Sequence, residues 1–302
     1  MRVLEVENLS KNYGRLKALN KVSLEIEAGQ VFGLLGPNGS GKSTFIGILL
    51  NLIKSYQGRY VWFQQQEVQP LRYVGSLFEA PQFYPYLSAK DNLKISGYRK
   101  GLSLTHKEIE AALDRVNLKH VLNKSFQYYS LGMKQRLAIA AALVCQPKVV
   151  VLDEPTNGLD PQGIAEIRDL ILSLRSQKMT VILASHLLVE VEKVCSHVAI
   201  LKNGHLLKKG LVAEILSAKS TIRVGVDSAQ VEAATTYLKE FPGFISTSKD
   251  AKSGHLLLQV EEEVKAQDLN EYLAGKDIFL NHLSTSQGDL ESTFLEILGN
   301  KN

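Results

Sequence analysis

The sequence predicts an α/β fold in two parts, a larger domain at residues 1–216 and a small α+β domain at residues 217–302. Three observations support this expectation. A strand, a glycine-rich turn and a helix follow one another around residue 36. The short apolar run Val149–Leu152 is typical of a central parallel strand that is covered on both faces. After residue 217, strand and helix patterns follow one another in the order βαββαβ, which is typical of a ferredoxin-like unit.

Hydrophobic periodicity assigns the elements of the larger domain in order. Alternating or wholly apolar runs indicate strands, and apolar residues at helical spacing indicate helices. Strands are predicted at Val3–Leu9, Val22–Glu27, Val31–Leu35, residues 59–63, Tyr73–Leu77, Val149–Leu152, Thr180–Ala184, His197–Leu201 and His205–Lys209. Helices are predicted at residues 44–53, Ala89–Tyr98, Thr105–Val116, Leu131–Leu143, Pro161–Gln177 and Leu188–Val194.

The same patterns assign the smaller domain. They predict the strands Thr221–Val226, Gly243–Ser248, His255–Val260 and Ile278–Leu283, and the helices Ala229–Glu240, Val264–Leu273 and Leu290–Leu298.

The most specific motif is G-P-N-G-S-G-K-S-T, which satisfies G-x-x-x-x-G-K-[ST] between a predicted strand and a predicted helix. In that arrangement, backbone N–H groups surround phosphate oxygens. Lys42 adds a positive charge at the β- and γ-phosphates, and the Ser43 hydroxyl is placed for Mg²⁺. A glycine-rich turn that matches by chance is the alternative. The residues predicted to bind ATP here are Gly36, Pro37, Asn38, Gly39, Ser40, Gly41, Lys42, Ser43 and Thr44.

A second motif, V-V-V-L-D-E-P, places two acids at the end of an apolar strand. Asp153 can reach the Mg²⁺ ion, and Glu154 can polarise a water molecule for attack on the γ-phosphate. Paired acids also occur in ordinary turns. The chain between Lys42 and Asp153 is longer than a simple nucleotide-binding βαβ unit requires, and its helical patterns predict an inserted helical subdomain at about residues 80–145.

The last helix of that insertion opens with Y-S-L-G-M-K-Q-R, starting at Tyr129. Together with the two motifs above, this stretch resembles the ATP-binding subunits of ABC transporters, most closely those of bacitracin-type and lantibiotic-type efflux. The resemblance covers residues 1 to about 215 and extends loosely to L-E-S-T-F-L-E near the C-terminus. It implies a P-loop NTPase core of the ABC ATPase type with an inserted helical subdomain.

The resemblance also implies roles for single residues. Tyr13 would stack on the adenine ring, although it could be a core tyrosine. His186 would contact the γ-phosphate and act with Lys42 and Glu154 in catalysis, although a lone histidine is often structural. Ser130 and Gly132 of the signature would contact the ATP held by a second copy, and Asp160 would couple the two opposed sites, so that two chains pair head to tail as a homodimer.

Some residues depart from the family pattern. Glu79 stands where the family usually has a glutamine, and it joins Ser43 and Asp153 in the predicted metal site. Leu131 and Met133 replace a glycine and a glutamine of the signature, so the turnover rate is open. The neighbouring aromatic residues are expected to dock a membrane subunit, with ordinary core packing as the alternative; they are Phe83, Tyr84 and Tyr86.

Composition narrows the function further. Apolar residues make up 45% and charged residues 22% of the chain, no apolar run is long enough to cross a bilayer, and no signal peptide is recognisable. No basic run with interleaved aromatics favours nucleic acid. We expect an ATPase subunit at the cytoplasmic face of a bacterial membrane that powers separate transmembrane permease subunits. It would export a peptide, antibiotic, lipid-like or ion substrate. The alternatives are a soluble ABC ATPase acting on nucleic acid or the ribosome, and a sensory ABC ATPase.

Overall fold

The computed structural model describes residues 1–79, 82–217, 220–250, 254–261, 264–287 and 290–299. The chain divides into two compact units, Met1–Gly210 and Leu211–Asn302. The boundary expected between residues 216 and 217 lies inside the second unit, because an unpredicted helix at Val212–Ser217 contacts the C-terminal helix at Leu290–Gly299. Among these described residues, no helix is long and apolar enough to cross a membrane.

The N-terminal unit contains two sheets and six α-helices within its described residues. Its strands are β1 (Arg2–Tyr13), β2 (Leu16–Glu27), β3 (Val31–Leu35), β4 (Gln57–Trp62), β5 (Val74–Leu77), β6 (Val149–Asp153), β7 (Thr180–Ser185), β8 (His197–Lys202) and β9 (His205–Leu211). Its helices are α1 (Lys42–Leu49), α2 (Ala89–Arg99), α3 (His106–Arg115), α4 (Leu131–Leu143), α5 (Pro161–Ser176) and α6 (Leu188–Val194).

The larger sheet positions the functional loops. Its strand order is β5-β6-β7-β3-β8-β9, and the pairs from β5 to β8 are parallel. Every residue of β3, β6 and β7 is buried, which confirms the covered central strand predicted at Val149–Leu152. Because parallel strands end at one edge, the loops after β3, β6 and β7 meet there.

A second sheet, in the order β2-β1-β4, is antiparallel. Helix α1 contributes to the core that both sheets share, and this core fixes the helix directly behind the glycine loop. Its fully buried members include Leu4, Ile26, Phe45, Ile46 and Leu49. Burial of such side chains stabilises the fold by about 1.5–3 kcal/mol each.

Helices α2, α3 and α4 pack on one another and form the predicted helical insertion. Each begins at a side-chain cap that accepts a backbone N–H: Ser88 for α2, Thr105 for α3 and Ser130 for α4. Such caps stabilise a helix by about 1 kcal/mol. The predicted bounds of the last helix, Leu131–Leu143, are confirmed.

The C-terminal unit contains a four-stranded antiparallel sheet, and helices at residues 231–239 and 266–274 pack on it. Its elements are α7 (Val212–Ser217), β10 (Ser220–Gly225), α8 (Val231–Lys239), β11 (Phe244–Lys249), β12 (Leu256–Val260), α9 (Ala266–Ala274), β13 (His282–Gln287) and α10 (Leu290–Gly299). The strand order β11-β12-β10-β13 and the order βαββαβ along the chain confirm the ferredoxin-like prediction.

Several predicted bounds are wrong for local reasons. The last strand begins at His282 rather than Ile278, because the Ile278 N–H closes helix α9 on the Leu273 carbonyl after Asp277 takes a left-handed φ of 60°. Helix α1 begins at Lys42 and ends at Leu49, earlier than the range 44–53. Strands β1 and β2 are longer than Val3–Leu9 and Val22–Glu27, because they continue into one hairpin.

Candidate functional site

The glycine loop between β3 and α1 depends on its glycines. Gly39 and Gly41 have φ values of 78° and 109°, in the region that favours glycine. A Cβ atom on Gly41 would lie 2.5 Å from the carbonyl oxygen of Ala18, which belongs to β2. Residue 41 therefore has no room for a side chain, and the loop passes close to the antiparallel sheet.

The beginning of α1 offers unpaired donors to an anion. Gly41 occupies the N-cap position and no side chain caps the helix, so its first N–H groups lack the usual partner. The Ser40 hydroxyl is buried and has no hydrogen-bond partner within the described residues. Pro37, Asn38 and Ser43 are exposed, whereas Gly36 is buried and Thr44 is half-buried. The loop is thus open to a ligand and suited to phosphate oxygens.

Lys42 lies at the centre of this loop with only 6% of its side chain exposed. Its Nζ atom donates to the Gly36 carbonyl at 2.7 Å and lies 3.6 Å from Glu154 Oε1. A buried ammonium group is costly unless it is paired. The γ-phosphate of a bound nucleotide would supply the negative charge that Glu154 supplies here.

Asp153 ends β6 and faces the start of α1. Burial raises the pKa of this carboxyl group, and the negative charges of Glu154 and Glu79 add to the effect; a hydrogen bond from Ser43 and the charge of Lys42 oppose it. Its Oδ1 atom is buried without a hydrogen-bond partner among described residues. A carboxylate oxygen beside a serine hydroxyl is the donor set that Mg²⁺ prefers, so these residues fit the metal that the sequence predicts.

Glu79 follows β5 in an exposed, left-handed conformation with φ at 57°. Its influence on the pKa of Asp153 places its charge near the predicted metal site. The next residues, 80 and 81, lie outside the described ranges.

Glu154 and His186 form a pair at the carboxyl ends of β6 and β7. The Glu154 backbone takes a φ of 47° and its N–H donates to the Ala184 carbonyl, which turns the side chain toward the glycine loop. Its Oε2 atom lies 2.7 Å from His186 Nδ1. Because an ionised carboxylate only accepts hydrogen bonds, Nδ1 carries the proton in this contact. His186 thus holds the orientation of Glu154.

A second group of predicted residues lies elsewhere in the same unit. Ser130, Gly132 and Asp160 line one cavity of about 370 Å³ between the starts of α4 and α5. Ser130 Oγ accepts the Met133 N–H at 3.3 Å, and Asp160 Oδ1 accepts the N–H at the third position of α5 at 2.9 Å. The described lining of this cavity contains no residue of the glycine loop.

Tyr13 ends β1, and 48% of it is exposed, so the alternative of a core tyrosine is wrong. The Nζ atom of Lys11 lies 4.7 Å from the centre of its ring. Lys11 was not predicted from the sequence. Its position was a usable signal, because residues two positions apart on a strand, such as Lys11 and Tyr13, lie on the same face. Lys11 is half-buried and its Nζ atom also donates to the Ser55 carbonyl at 2.6 Å, so the exposed ring of Tyr13 lies against a fixed positive charge.

The three aromatic residues that follow Glu79 differ in burial. Phe83 is half-buried and packs edge-on against Phe126 at 5.1 Å, as core packing requires. Tyr84 and Tyr86 are 40% and 68% exposed. Asn92 of α2 fixes this loop, because its side-chain oxygen accepts the Tyr84 N–H at 2.9 Å. Two tyrosines therefore form an exposed aromatic surface on a held loop.

Comparison with known proteins gives consistent similarities. Residues 19–157 match the family model described as ABC transporter. The chain is 41% identical to the lantibiotic transport ATP-binding protein SrtF of Streptococcus pyogenes, over 68% of this chain and 89% of that one. It is 32% identical to the bacitracin transport ATP-binding protein BcrA of Enterococcus faecalis, over 98% and 96%.

A solved structure extends these similarities to three dimensions. The dimeric post-hydrolysis structure of the ATP-binding cassette MJ0796, bound to ADP and Pi, matches 69% of this chain and 98% of its own, with a TM-score of 0.61 and 25% identity. The matched family model includes the glycine loop, the signature helix and both strand-end acids of this chain.

Proposed function

This chain belongs to the ABC transporter family of ATP-binding proteins, and from that premise we propose that two copies of it close on ATP to power export through separate membrane subunits. The names of the relatives state transport of a lantibiotic and of bacitracin. A peptide antibiotic, or a lipid-like or ionic substrate, is accordingly the proposed cargo. The proposed place of work is the cytoplasmic face of the membrane.

One observation carries the proposal of pairing. The predicted ATP-binding residues form two groups, and the cavity at Ser130 and Asp160 has a lining separate from the glycine loop that contains Lys42. In this proposal each group supplies one side of an ATP site. A second copy turned head to tail would place the Ser130 helix against the first copy's loop and would complete two equivalent sites.

The residues of the first group have distinct tasks in hydrolysis. The loop N–H groups and Lys42 hold the triphosphate and stabilise the charge that develops on it. Ser43, Asp153 and Glu79 would hold Mg²⁺, which when bound neutralises phosphate charge. Glu154 exchanges its contact with Lys42 for a water molecule, which it orients and from which it accepts a proton. His186 keeps Glu154 in position through the 2.7 Å hydrogen bond.

The exposed tyrosines support a docking role toward the membrane subunit. Tyr84 and Tyr86 lie in the loop after Glu79, on a segment that Asn92 holds in place. Aromatic residues of this kind are enriched at the energetic centres of protein interfaces.

Co-purification tests the proposal against its rival. Tagged protein extracted from its native membrane in mild detergent should recover a multi-spanning membrane protein, and a Tyr84→Glu/Tyr86→Glu variant should lose that partner while still binding ATP. Tyr98→Glu is the matched control, since Tyr98 is 65% exposed on α2 away from this loop. Recovery of ribosomes or nucleic acid in place of a membrane protein would favour the soluble alternative.

A further inference from the structure

A large cavity lies away from the nucleotide site, at the amino-terminal end of β5. It occupies about 840 Å³. It is surrounded by strand β4, the turn that precedes β5, the end of α2 with the segment that follows it, and Asn51 after α1. The glycine loop lies at the carboxyl end of β3, so the two sites are at opposite edges of the parallel sheet. Pockets that bind small molecules have volumes of about 300–1,000 Å³.

The charges around this cavity have one sign. Arg72, Arg99 and Lys100 line it, and no acidic residue belongs to its described lining. Lys100 is occupied, because its Nζ atom donates to the Val74 carbonyl at 2.6 Å, and burial lowers its pKa. Arg72 and Arg99 are exposed and form no ion pair with the described carboxylates. Two guanidinium groups are therefore available to an anion.

One wall of the cavity is aromatic. Trp62 is buried, and its indole N–H donates to the Leu49 carbonyl at 3.1 Å, so the ring needs no polar partner from a ligand. Tyr60 lies on the same strand, two positions earlier, and burial raises the pKa of its hydroxyl to about 12. Leu71 and Pro70 add apolar surface. A flat apolar group can pack here while the arginines hold a charged one.

We propose that this cavity binds an aromatic organic anion, such as an aryl phosphate or aryl carboxylate, independently of the nucleotide site. The ring would pack beside Tyr60 and Trp62, and the anionic group would bind Arg72 and Arg99. The inference does not depend on transport or on pairing of two chains, because every residue that it uses belongs to one compact unit.

The chain provides its own reporter for the test. Trp62 is the single tryptophan in the sequence, so protein labelled with ¹⁵N-tryptophan gives one indole N–H signal, and it comes from a residue that lines the cavity. 1-Naphthyl phosphate is the probe, titrated with excess Mg·ADP present to occupy the nucleotide site. The indole signal should shift and saturate. Inorganic phosphate and neutral 2-naphthol should each bind more weakly than the probe, because the first lacks the aromatic ring and the second lacks the anionic group.

Arg72→Gln and Arg99→Gln test the anion contacts. Each should weaken binding of the probe about tenfold or more, since a hydrogen-bonded charge pair is lost. Lys94→Gln is the control, because it removes one positive charge from α2 without lining the cavity. Arginines that are exposed can be replaced without loss of fold, and an unchanged indole signal before titration verifies this. An absent shift, equal binding by the arginine variants, or binding of 2-naphthol as tight as that of the phosphate would overturn the proposal.

Discussion

Replacing Glu154 by glutamine removes the negative charge that this side chain offers to Lys42 and His186. Glu154 Oε1 lies 3.6 Å from Lys42 Nζ, and Oε2 lies 2.7 Å from His186 Nδ1. At an effective dielectric constant of about 20, the charge pair is worth roughly 5 kcal/mol of Coulomb energy. Solvent reaches 20% of the Glu154 side chain, and Lys42 keeps the Gly36 carbonyl, so we expect a net loss of about 1–3 kcal/mol.

The variant should therefore unfold at a lower temperature than wild type without nucleotide, by about 2–4 °C for each kcal/mol. Mg·ATP should remove that deficit, because phosphate replaces Glu154 as the partner of Lys42 and no longer meets a carboxylate. Phosphate release should fall about 10²- to 10⁴-fold, the usual contribution of a general base. Thermal unfolding with and without Mg·ATP, and a phosphate-release assay, measure the two effects.

Glu190→Gln is the matched control for this experiment. Glu190 is 19% exposed and pairs with Arg168 at 3.1 Å, and neither residue belongs to the predicted ATP-binding groups. Its replacement should lower the unfolding temperature to a similar extent with or without Mg·ATP, and turnover should stay near wild type. Turnover of Glu154→Gln within tenfold of wild type would refute the assignment of the general base.

Three further replacements test other parts of the site. Asp153→Asn should raise the free energy of unfolding of nucleotide-free protein at pH 8 and abolish Mg²⁺-dependent stabilisation by ATP. Because the pKa of Asp153 is raised in the folded protein, the stability difference between variant and wild type should shrink as pH falls through that pKa and wild type takes up a proton. Tyr13→Ala should weaken ATP binding by about 1–3 kcal/mol in calorimetry, and Tyr13→Trp should restore it. Gly41→Ala should abolish nucleotide binding in the same assay, because its Cβ would lie 2.5 Å from the Ala18 carbonyl oxygen.

The sequence predicts the nucleotide loop and the order of elements well, because both depend on local patterns. The glycines, Lys42 and the apolar run before Asp153 each carry their own signal within a few residues. The start of α4 at Leu131 is likewise marked by Ser130, whose side chain caps the helix.

Long-range contacts were beyond those patterns. The 3.6 Å pair of Lys42 and Glu154 joins segments far apart in the chain, and only the parallel register of β6 and β7 brings His186 to the same carboxylate. The cavity beside Trp62 depends on the packing of four separate segments of the chain, so no single sequence motif predicts it. The late start of β13 follows from the closure of α9 by Ile278, which competes with an apparent strand pattern.

Pairing on ATP is the central claim, and light scattering of the Glu154→Gln variant tests it most directly. We expect a monomer without nucleotide and a dimer with Mg·ATP. Adding Ser130→Asp should abolish the dimer, because aspartate still caps α4 but brings a negative charge to the partner's triphosphate. A mass that stays monomeric with saturating Mg·ATP, also when the native membrane partner is present, would contradict the account.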